Sequence, residues 1–267
     1  MEKLDRNALK NKFRKGKMPS EQDFSNLIDS MVNILEEGFD KTSRDGLKIS
    51  QLMGSGRLLS FYKNIAVENP QWFMELSNND NKLYIGTPTS PRVLSLYSHN
   101  NQNDGNNNLR VAVGINKDTP RTTLDVDGTI ASSGRMGQPG DFPAPADGNW
   151  HDITSPLTGC EMLEVVAGVG GQDADGRYAL IHGRAMNAFN GKGSIEIQDT
   201  YFGNKCSRLE LRWQPVPDLG QFHYKLQIRT QCSYGSDIWI QYHLTRQWFD
   251  PLMLRSNELL DSLKAGK

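Results

Sequence analysis

The stretch from Val111 to Ile130 constrains the fold of this chain more than any other part of the sequence. It contains two short apolar runs, and Thr119-Pro120 separates them because the residue before a proline is pushed out of the helical region. Alternation places one set of aliphatic side chains on a common side of each run: Val111, Val113 and Ile115 in the first, Leu124 and Val126 in the second. Such a β-turn-β unit has almost no core of its own. We expect it to bury its apolar side against copies from neighbouring chains.

Composition and charge exclude several classes of protein. The chain has 267 residues, which is enough for one large domain or two to three small ones, and 37% of them are hydrophobic. The net charge of −1 argues against nucleic-acid binding, which needs a strong basic field. No apolar run approaches about 18 residues, so we expect no membrane insertion. The polar start, Met1 to Arg6, shows no secretory signal and predicts assembly in the cytoplasm.

Residues 1–46 are predicted to be helical. Asp5 is placed to cap a first short helix, and Ser20 with Asp23 has the capping-box spacing for a second. Apolar residues at heptad-like positions follow in the second helix: Phe24, Ile28, Met31 and Leu35. Two interpretations remain open at this point. The helices form a short bundle between copies, or they form a two-helix hairpin that packs on something else.

The rest of the chain divides by composition and periodicity. Short apolar runs separated by polar turns predict a β-rich connector over residues 47–133. The Gly- and Pro-rich residues 134–149 are interpreted as a linker, or as a lead-in that wraps the next domain. Alternating strands predict an antiparallel β-sandwich over residues 150–254, and leucine spacing predicts a helical tail over residues 255–267. The expected fold class is therefore mainly β, with a short N-terminal helical region, an intertwined connector and a C-terminal sandwich.

Strand parity also predicts which sandwich residues face the core. Nine residues share the inward side: Leu209, Leu211, Trp213, Phe222, Tyr224, Leu226, Ile228, Tyr242 and Leu244. Trp239 faces outward by the same rule, between Ile238 and Ile240. Either another element or subunit covers Trp239, or it forms an exposed patch that contacts a ligand or partner.

The sequence offers no persuasive catalytic centre. His223 and His243 are predicted on neighbouring strands, but no metal-ligand spacing accompanies them. The residues Asp173 to Gly176 resemble the start of a calcium loop and lack its closing Glu, so a turn is the better interpretation. Three cysteines without a CxxC pair predict small buried hydrophobic residues rather than a disulfide framework. We therefore expect no enzyme, no cofactor and no bound metal.

Several stretches carry a family resemblance. Residues 111–130 resemble a VGI…LDVDGTI element of phage tail fibres and bacterial adhesins, and Leu9 to Met31 looks like N-termini of proteins encoded with phage-tail-like contractile injection systems. The C-terminal domain is similar to one in the same setting, in these pieces: Trp150–Ile153, Gly159-Cys160, Val165–Gly168, Leu209–Trp213, Gln227–Thr230 and Thr245–Asp250. The resemblance implies a structural part of a released or cell-held particle: a tail fibre, a baseplate appendage or a cap adaptor that contacts baseplate, tube or cap proteins.

The resemblance and the missing core together predict a homotrimer. The expected interface combines the helical and connector residues: Phe24, Ile28, Met31, Leu35, Val111, Val113, Ile115, Leu124, Val126 and Ile130. The alternative is a glycan- or cell-surface-binding adhesin whose sandwich acts as a lectin. A glycan hydrolase would need a carboxylate pair in a groove, and nothing in the sequence singles out two such residues.

Overall fold

The structure is a computed structural model that describes residues 4–31, 37–52, 54, 56–100 and 109–257. The chain is mainly β, with 41% of residues in strands and 11% in helices. It forms two compact units, Met1–Ala131 and Ser132–Lys267. The predicted fold class is confirmed.

The first unit begins with two capped helices. In α1 (Arg6–Lys12), the Asp5 side chain accepts a hydrogen bond from the Ala8 amide, and α2 (Glu21–Asp29) begins with a Ser20–Asp23 capping box. Both predicted caps are confirmed.

The described contacts fit the hairpin interpretation of these helices. The rings of Phe13 and Phe24 meet edge to face at 5.3 Å between centroids, and Lys12 Nζ lies 2.7 Å from Asp23 Oδ1. The second helix ends at Asp29, earlier than the periodicity suggests, because Ser30 caps it. Met31 follows the helix, and Leu35 lies outside the described residues.

A short β-hairpin corrects the predicted boundary at residue 46. Strands β1 (Phe39–Thr42) and β2 (Gly46–Ile49) pair antiparallel, so strand structure begins within the stretch that was predicted to be helical. Thr42 Oγ1 donates to Asp45 Oδ2 at 3.1 Å and Asp45 N donates back to Thr42 Oγ1 at 3.0 Å. This side-chain turn favours a hairpin over a helix.

A six-stranded sheet forms most of the rest of the first unit. Its strands lie in chain order across the sheet: β3 (Arg57–Phe61), β4 (Trp72–Leu76), β5 (Lys82–Gly86), β6 (Leu94–Asn100), β7 (Leu109–Ile115) and β8 (Leu124–Val126). Neighbouring strands pair antiparallel, except β7 and β8, which are parallel. The two runs of the Val111–Ile130 stretch are therefore adjacent strands of one sheet.

The second unit is a sandwich of two antiparallel sheets. One sheet has the order β14-β13-β12-β17-β9, from β14 (Ser194–Phe202), β13 (Tyr178–Ala188), β12 (Cys160–Gly170), β17 (Gln241–Arg246) and β9 (Gln138–Pro139). In the other, β16 (His223–Thr230) pairs with β10 (His151–Asp152), β11 (Leu157–Thr158) and β15 (Leu209–Pro215). The predicted sandwich is confirmed.

The predicted register is confirmed for most of the core. The residues that alternate inward along β15 and β16 are buried, while His223, Lys225 and Gln227 are only half-buried. Trp213 and Leu244 are partly buried against the same core.

Phe222 was wrongly placed in that core and is 50% exposed. It precedes the first residue of β16, so the strand ladder does not orient it. Its ring instead meets that of Phe189 at 6.1 Å. His223 and His243 are not neighbours either, since β16 and β17 belong to opposite sheets.

Residues 134–149 are part of the sandwich, which corrects their assignment as a linker. Strand β9 pairs with β17, and Ala144 and Ala146 are buried in the core. The Ile240 amide donates to Ala144 O at 2.8 Å, and the Ala146 amide donates to Ile238 O at 2.8 Å. The alternative interpretation, a lead-in that wraps the next domain, fits these contacts.

A disulfide joins Cys206 and Cys232, whose Cα atoms are 5.4 Å apart. The prediction that all three cysteines are ordinary small hydrophobic residues is wrong for this pair. Cys160 has a free thiol and is half-buried.

The end of the chain leaves one prediction open. A short 3-10 helix covers Leu254–Asn257, and the leucines of the predicted helical tail lie outside the described residues. No described helix is long and apolar enough to cross a bilayer.

The disulfide is expected to stabilise the sandwich. Closing a loop between residues 26 apart should contribute about 3.5 kcal/mol by restricting the unfolded chain. Denaturant unfolding of the Cys206→Ser/Cys232→Ser double variant should show that loss, as should the reduced wild-type protein. Cys160→Ser is the control and should unfold near wild type. Alkylation of all three cysteines in the folded, unreduced protein would show that the bond does not form.

Candidate functional site

One face of the six-stranded sheet carries two aliphatic rows that cross five strands. Paired residues in a sheet share a face, and the register gives the first row as Leu76, Leu83, Leu96, Val113 and Leu124. The second row is Met74, Ile85, Leu94, Ile115 and Val126. With Val111, which alternation places on the same side, these eleven residues are called the apolar face below.

The apolar face is left uncovered by the part of the chain that the structure describes. None of its eleven residues is buried by the described part of the structure, and Val111 and Leu124 are each 56% exposed. Soluble monomers rarely expose a contiguous apolar patch of this kind, which is typical of an interaction surface.

The opposite face of the sheet is covered by the chain's own loops. It carries small and polar residues, among them Ser95 and Ala112, which are fully buried. Ser95 Oγ donates to the carbonyl of Lys117, which lies in the connection between β7 and β8. Gly86 permits equally close packing, since a Cβ there would lie 2.1 Å from the Pro91 carbonyl oxygen.

Cations and aromatic rings complete the covered side. The guanidinium of Arg92 lies 4.9 Å from the centroid of the Tyr84 ring and also pairs with Asp118. Burial raises the pKa of Tyr84, and the nearby Asp118 carboxylate raises it further. The described loops therefore cover a face of small, polar and aromatic side chains, among them Phe73 and Tyr84, and leave the aliphatic face open.

A carboxylate clamp positions β8 at the sheet edge. Asp125, which is buried on the covered side, accepts hydrogen bonds from Arg121 N at 3.0 Å, Nε at 2.9 Å and Nη2 at 3.3 Å. The Arg121 side chain, followed by its amide, lowers the pKa of Asp125 to about 2. Because Asp125 points to the covered side, its neighbours Leu124 and Val126 point to the apolar face.

The structure brings together half of the residues predicted for the trimer interface. Five of them lie on the apolar face, and Ile130 is exposed beyond β8. Phe24, Ile28 and Met31 are exposed in and just after α2, and Leu35 is not among the described residues. Sequence reasoning missed the contributions of β4, β5 and β6, although the alternation of Leu83 with Ile85 and of Leu94 with Leu96 was visible.

Trp239 lies where parity placed it. Its side chain is 46% exposed, while Ile240 is buried in the sandwich core. Trp239 and the lead-in segment line a surface groove, described below. Among the described residues, no three His, Cys, Asp or Glu side chains are grouped so that they could hold a metal ion.

A scan against protein-family models found no match, and a search of curated proteins found none either.

Acid should weaken the clamp at β8. The pKa of Asp125 in the folded chain lies below the ordinary value of an aspartate, at about 2, so the clamp contributes its full stability above about pH 4 and loses it as the pH falls toward 2. We expect Asp125→Asn to lower the melting temperature at neutral pH and to flatten its dependence on pH below 4. Asp127→Asn, a change at an exposed neighbour, should retain that dependence. If the melting temperatures of wild type and Asp125→Asn fell equally below pH 4, Asp125 would not be the group that stabilises β8 through this clamp.

Proposed function

We propose that this chain is a non-enzymatic structural component that assembles as a homotrimer through its apolar face, within a phage-tail-like contractile injection particle. The observation that carries the proposal is the pair of aliphatic rows left uncovered by the described chain. A sheet with one face on its own loops needs a second layer on the other face to keep water from the aliphatic side chains.

Further copies of the same chain are the partner that fits this face. None of the eleven residues carries a charge, so neither like-charge repulsion nor unpaired buried charge opposes the contact between copies. A stable interface uses about 20–30 residues a side. The apolar face would supply its centre, and the exposed Ile130 and helical stripe of Phe24, Ile28 and Met31 would extend it.

The choice of three copies and of a particle depends on the resemblance to tail fibres and contractile injection systems. The same resemblance supports a fibre, a baseplate appendage or a cap adaptor as the position of the chain. Strands wrapped around a threefold axis would place the apolar faces together at that axis.

The disulfide bears on where the particle acts. Disulfides persist in oxidising surroundings and are rare in the cytoplasm. We propose that the chain assembles in the cytoplasm and that the Cys206–Cys232 bond closes after the particle is released. This favours a released particle over one held inside the cell.

The stoichiometry is tested by mass photometry of the soluble protein. The chain has a mass of 30.0 kDa, so a trimer has 3 × 30.0 = 90 kDa. Because Val111 and Leu124 are largely exposed in one chain, Val111→Asp/Leu124→Asp should leave each copy folded and shift the mass to the monomer. Leu219→Asp, at an exposed leucine of the second unit, is the control and should keep the wild-type mass. A wild-type mass of one or two chains at micromolar concentration would overturn the trimer.

A second candidate function is adhesion to a glycan or cell surface by the sandwich acting as a lectin. The exposure of Trp239 favours it, because a flat amphipathic ring at the surface is suited to contact with a sugar or a partner. The two candidates are compatible, since one uses the sheet of the first unit and the other uses the sandwich.

A further inference from the structure

We infer that the groove beside Trp239 is a glycan-binding site that takes neutral or amino sugars. The inference deepens the second candidate function and rests on it, and it does not depend on the trimer. The groove has a volume of about 270 Å³, near the lower end of the range for small-molecule sites. It is lined by residues 139–144 of the lead-in and by residues 239–243 of the last strand and its approach.

The groove forms because the lead-in leaves the strand ladder and returns to it. The Gly140 amide donates to Tyr242 O at 3.1 Å, and Ala144 O accepts from Ile240 N at 2.8 Å. Between these contacts the Tyr242 hydroxyl holds the backbone of Phe142, accepting from its amide at 3.1 Å and donating to its carbonyl at 2.8 Å. A Cβ at Gly140 would lie 2.0 Å from the Tyr242 ring, so this anchor requires glycine. The groove is therefore preformed, which limits the ordering cost of binding.

Trp239 is the most exposed of the tryptophans described in the sandwich, and Trp248 follows at 39%. The ring of Trp150 has the guanidinium groups of Arg212 and Arg229 at 4.4 Å each. Trp213 is partly buried against the core, and the indole of Trp248 donates to Asp250 O. Trp239 is 46% exposed beside a groove, where the C–H face of a sugar ring can pack on it.

Three polar side chains in the groove are available to a ligand. Asp141, Gln241 and His243 line it, and none of them forms a hydrogen bond or ion pair with another described residue. Gln241 and His243 share the outward side of the strand with Trp239 by alternation. Together they offer hydrogen-bond donors and acceptors around an apolar platform, which is the combination that sugar hydroxyls require.

Three carboxylates elsewhere on the sandwich are engaged. Asp152 accepts from Lys225 and Gln227, and Glu210 accepts from Arg229 and Gln231. Asp199 pairs with Arg208. Asp141, Gln241 and His243 are distinguished by their place, since they gather in a groove beside an exposed tryptophan.

The charge of the groove selects the class of glycan. Asp141 is the only lining residue that is charged at neutral pH whatever the state of His243. A negative charge disfavours sialylated, uronic or sulfated sugars and favours neutral or amino sugars. This distinction separates the groove from a basic, anion-binding surface.

The test uses the full-length protein on an array of neutral, amino-sugar and sialylated oligosaccharides, followed by calorimetric titration with the soluble form of any glycan that binds. Wild type should bind neutral or amino-sugar glycans, at one site per chain. Trp239→Ala should weaken that binding at least tenfold, and Trp239→Phe should weaken it less. Gln241→Ala should also weaken it, and it serves as a second variant should Trp239→Ala unfold. Trp248→Ala, outside the groove, is the matched control and should bind as wild type does.

Each other outcome overturns the inference. These outcomes are a silent array, binding to sialylated glycans only, and binding that Trp239→Ala and Gln241→Ala leave unchanged. Mass photometry of the same samples keeps the trimer separate, because Trp239→Ala should retain the wild-type mass. If a monomer binds glycan, the glycan-binding groove is supported and the trimer is wrong. If a trimer binds no glycan on the array, the trimer is supported and the glycan-binding groove is wrong.

Discussion

The alternation of side chains along a β-strand is the constraint on which the first unit depends. Because successive residues point to opposite faces, a strand that puts small residues on one side is free to put large ones on the other. In β7 the small Ala112 is buried while its neighbours Val111 and Val113 face the other side. The register continues the aliphatic side across five strands, so the aliphatic rows are a property of the sheet and not of one segment.

The usual arrangement of a sheet with one solvated face is met only in part here, because the loop side buries Phe73 and Tyr84 while the aliphatic rows lie on the open side. Such a sheet normally directs its aliphatic side chains toward the chain's own core and its polar ones toward water. In this sheet the chain's loops lie on the side of Ser95 and Asp125, where hydrogen bonds and the close approach at Gly86 hold them. Polar contacts of this kind hold the loops in place on the sheet but add little to the net free energy of folding. In the proposed trimer, other copies would cover the apolar face and add the larger hydrophobic contribution, so folding stability and assembly would be coupled through protomer concentration.

Local signals explain what the sequence predicts well. The caps at Asp5 and Ser20 depend on residues three positions apart, and the inward positions of Leu226 and Ile228 follow from strand parity. The disulfide and the buried lead-in were missed because they depend on distant contacts. Cys206 meets Cys232 because their segments pair, and Ala144 is buried because it pairs with Ile240 nearly a hundred residues later. Phe222 was misplaced since the period-2 pattern was extended one residue beyond the ladder.

The candidate sites also depend partly on local signals and partly on distant contacts. Parity alone places Val111, Val113, Leu124 and Trp239 on their faces, because each depends only on its own strand. The extent of the apolar face needs the register of strands that are distant in sequence, and the groove needs the return of the lead-in to β17. Neither could be deduced from spacing, since the pairing of distant strands leaves no local pattern.

The proposed trimer would compensate for a physical weakness of the proposed groove. A groove with one aromatic platform and three polar side chains offers a sugar few contacts, so its affinity as a single site would be low. A trimer carries three such grooves, and once one has bound, the others bind at a raised effective concentration without any new contact. The apolar face would then determine avidity although it touches no glycan, and a change at Val111 would weaken surface binding through loss of valency. A change at Trp239 would weaken it through the groove itself, at unchanged mass.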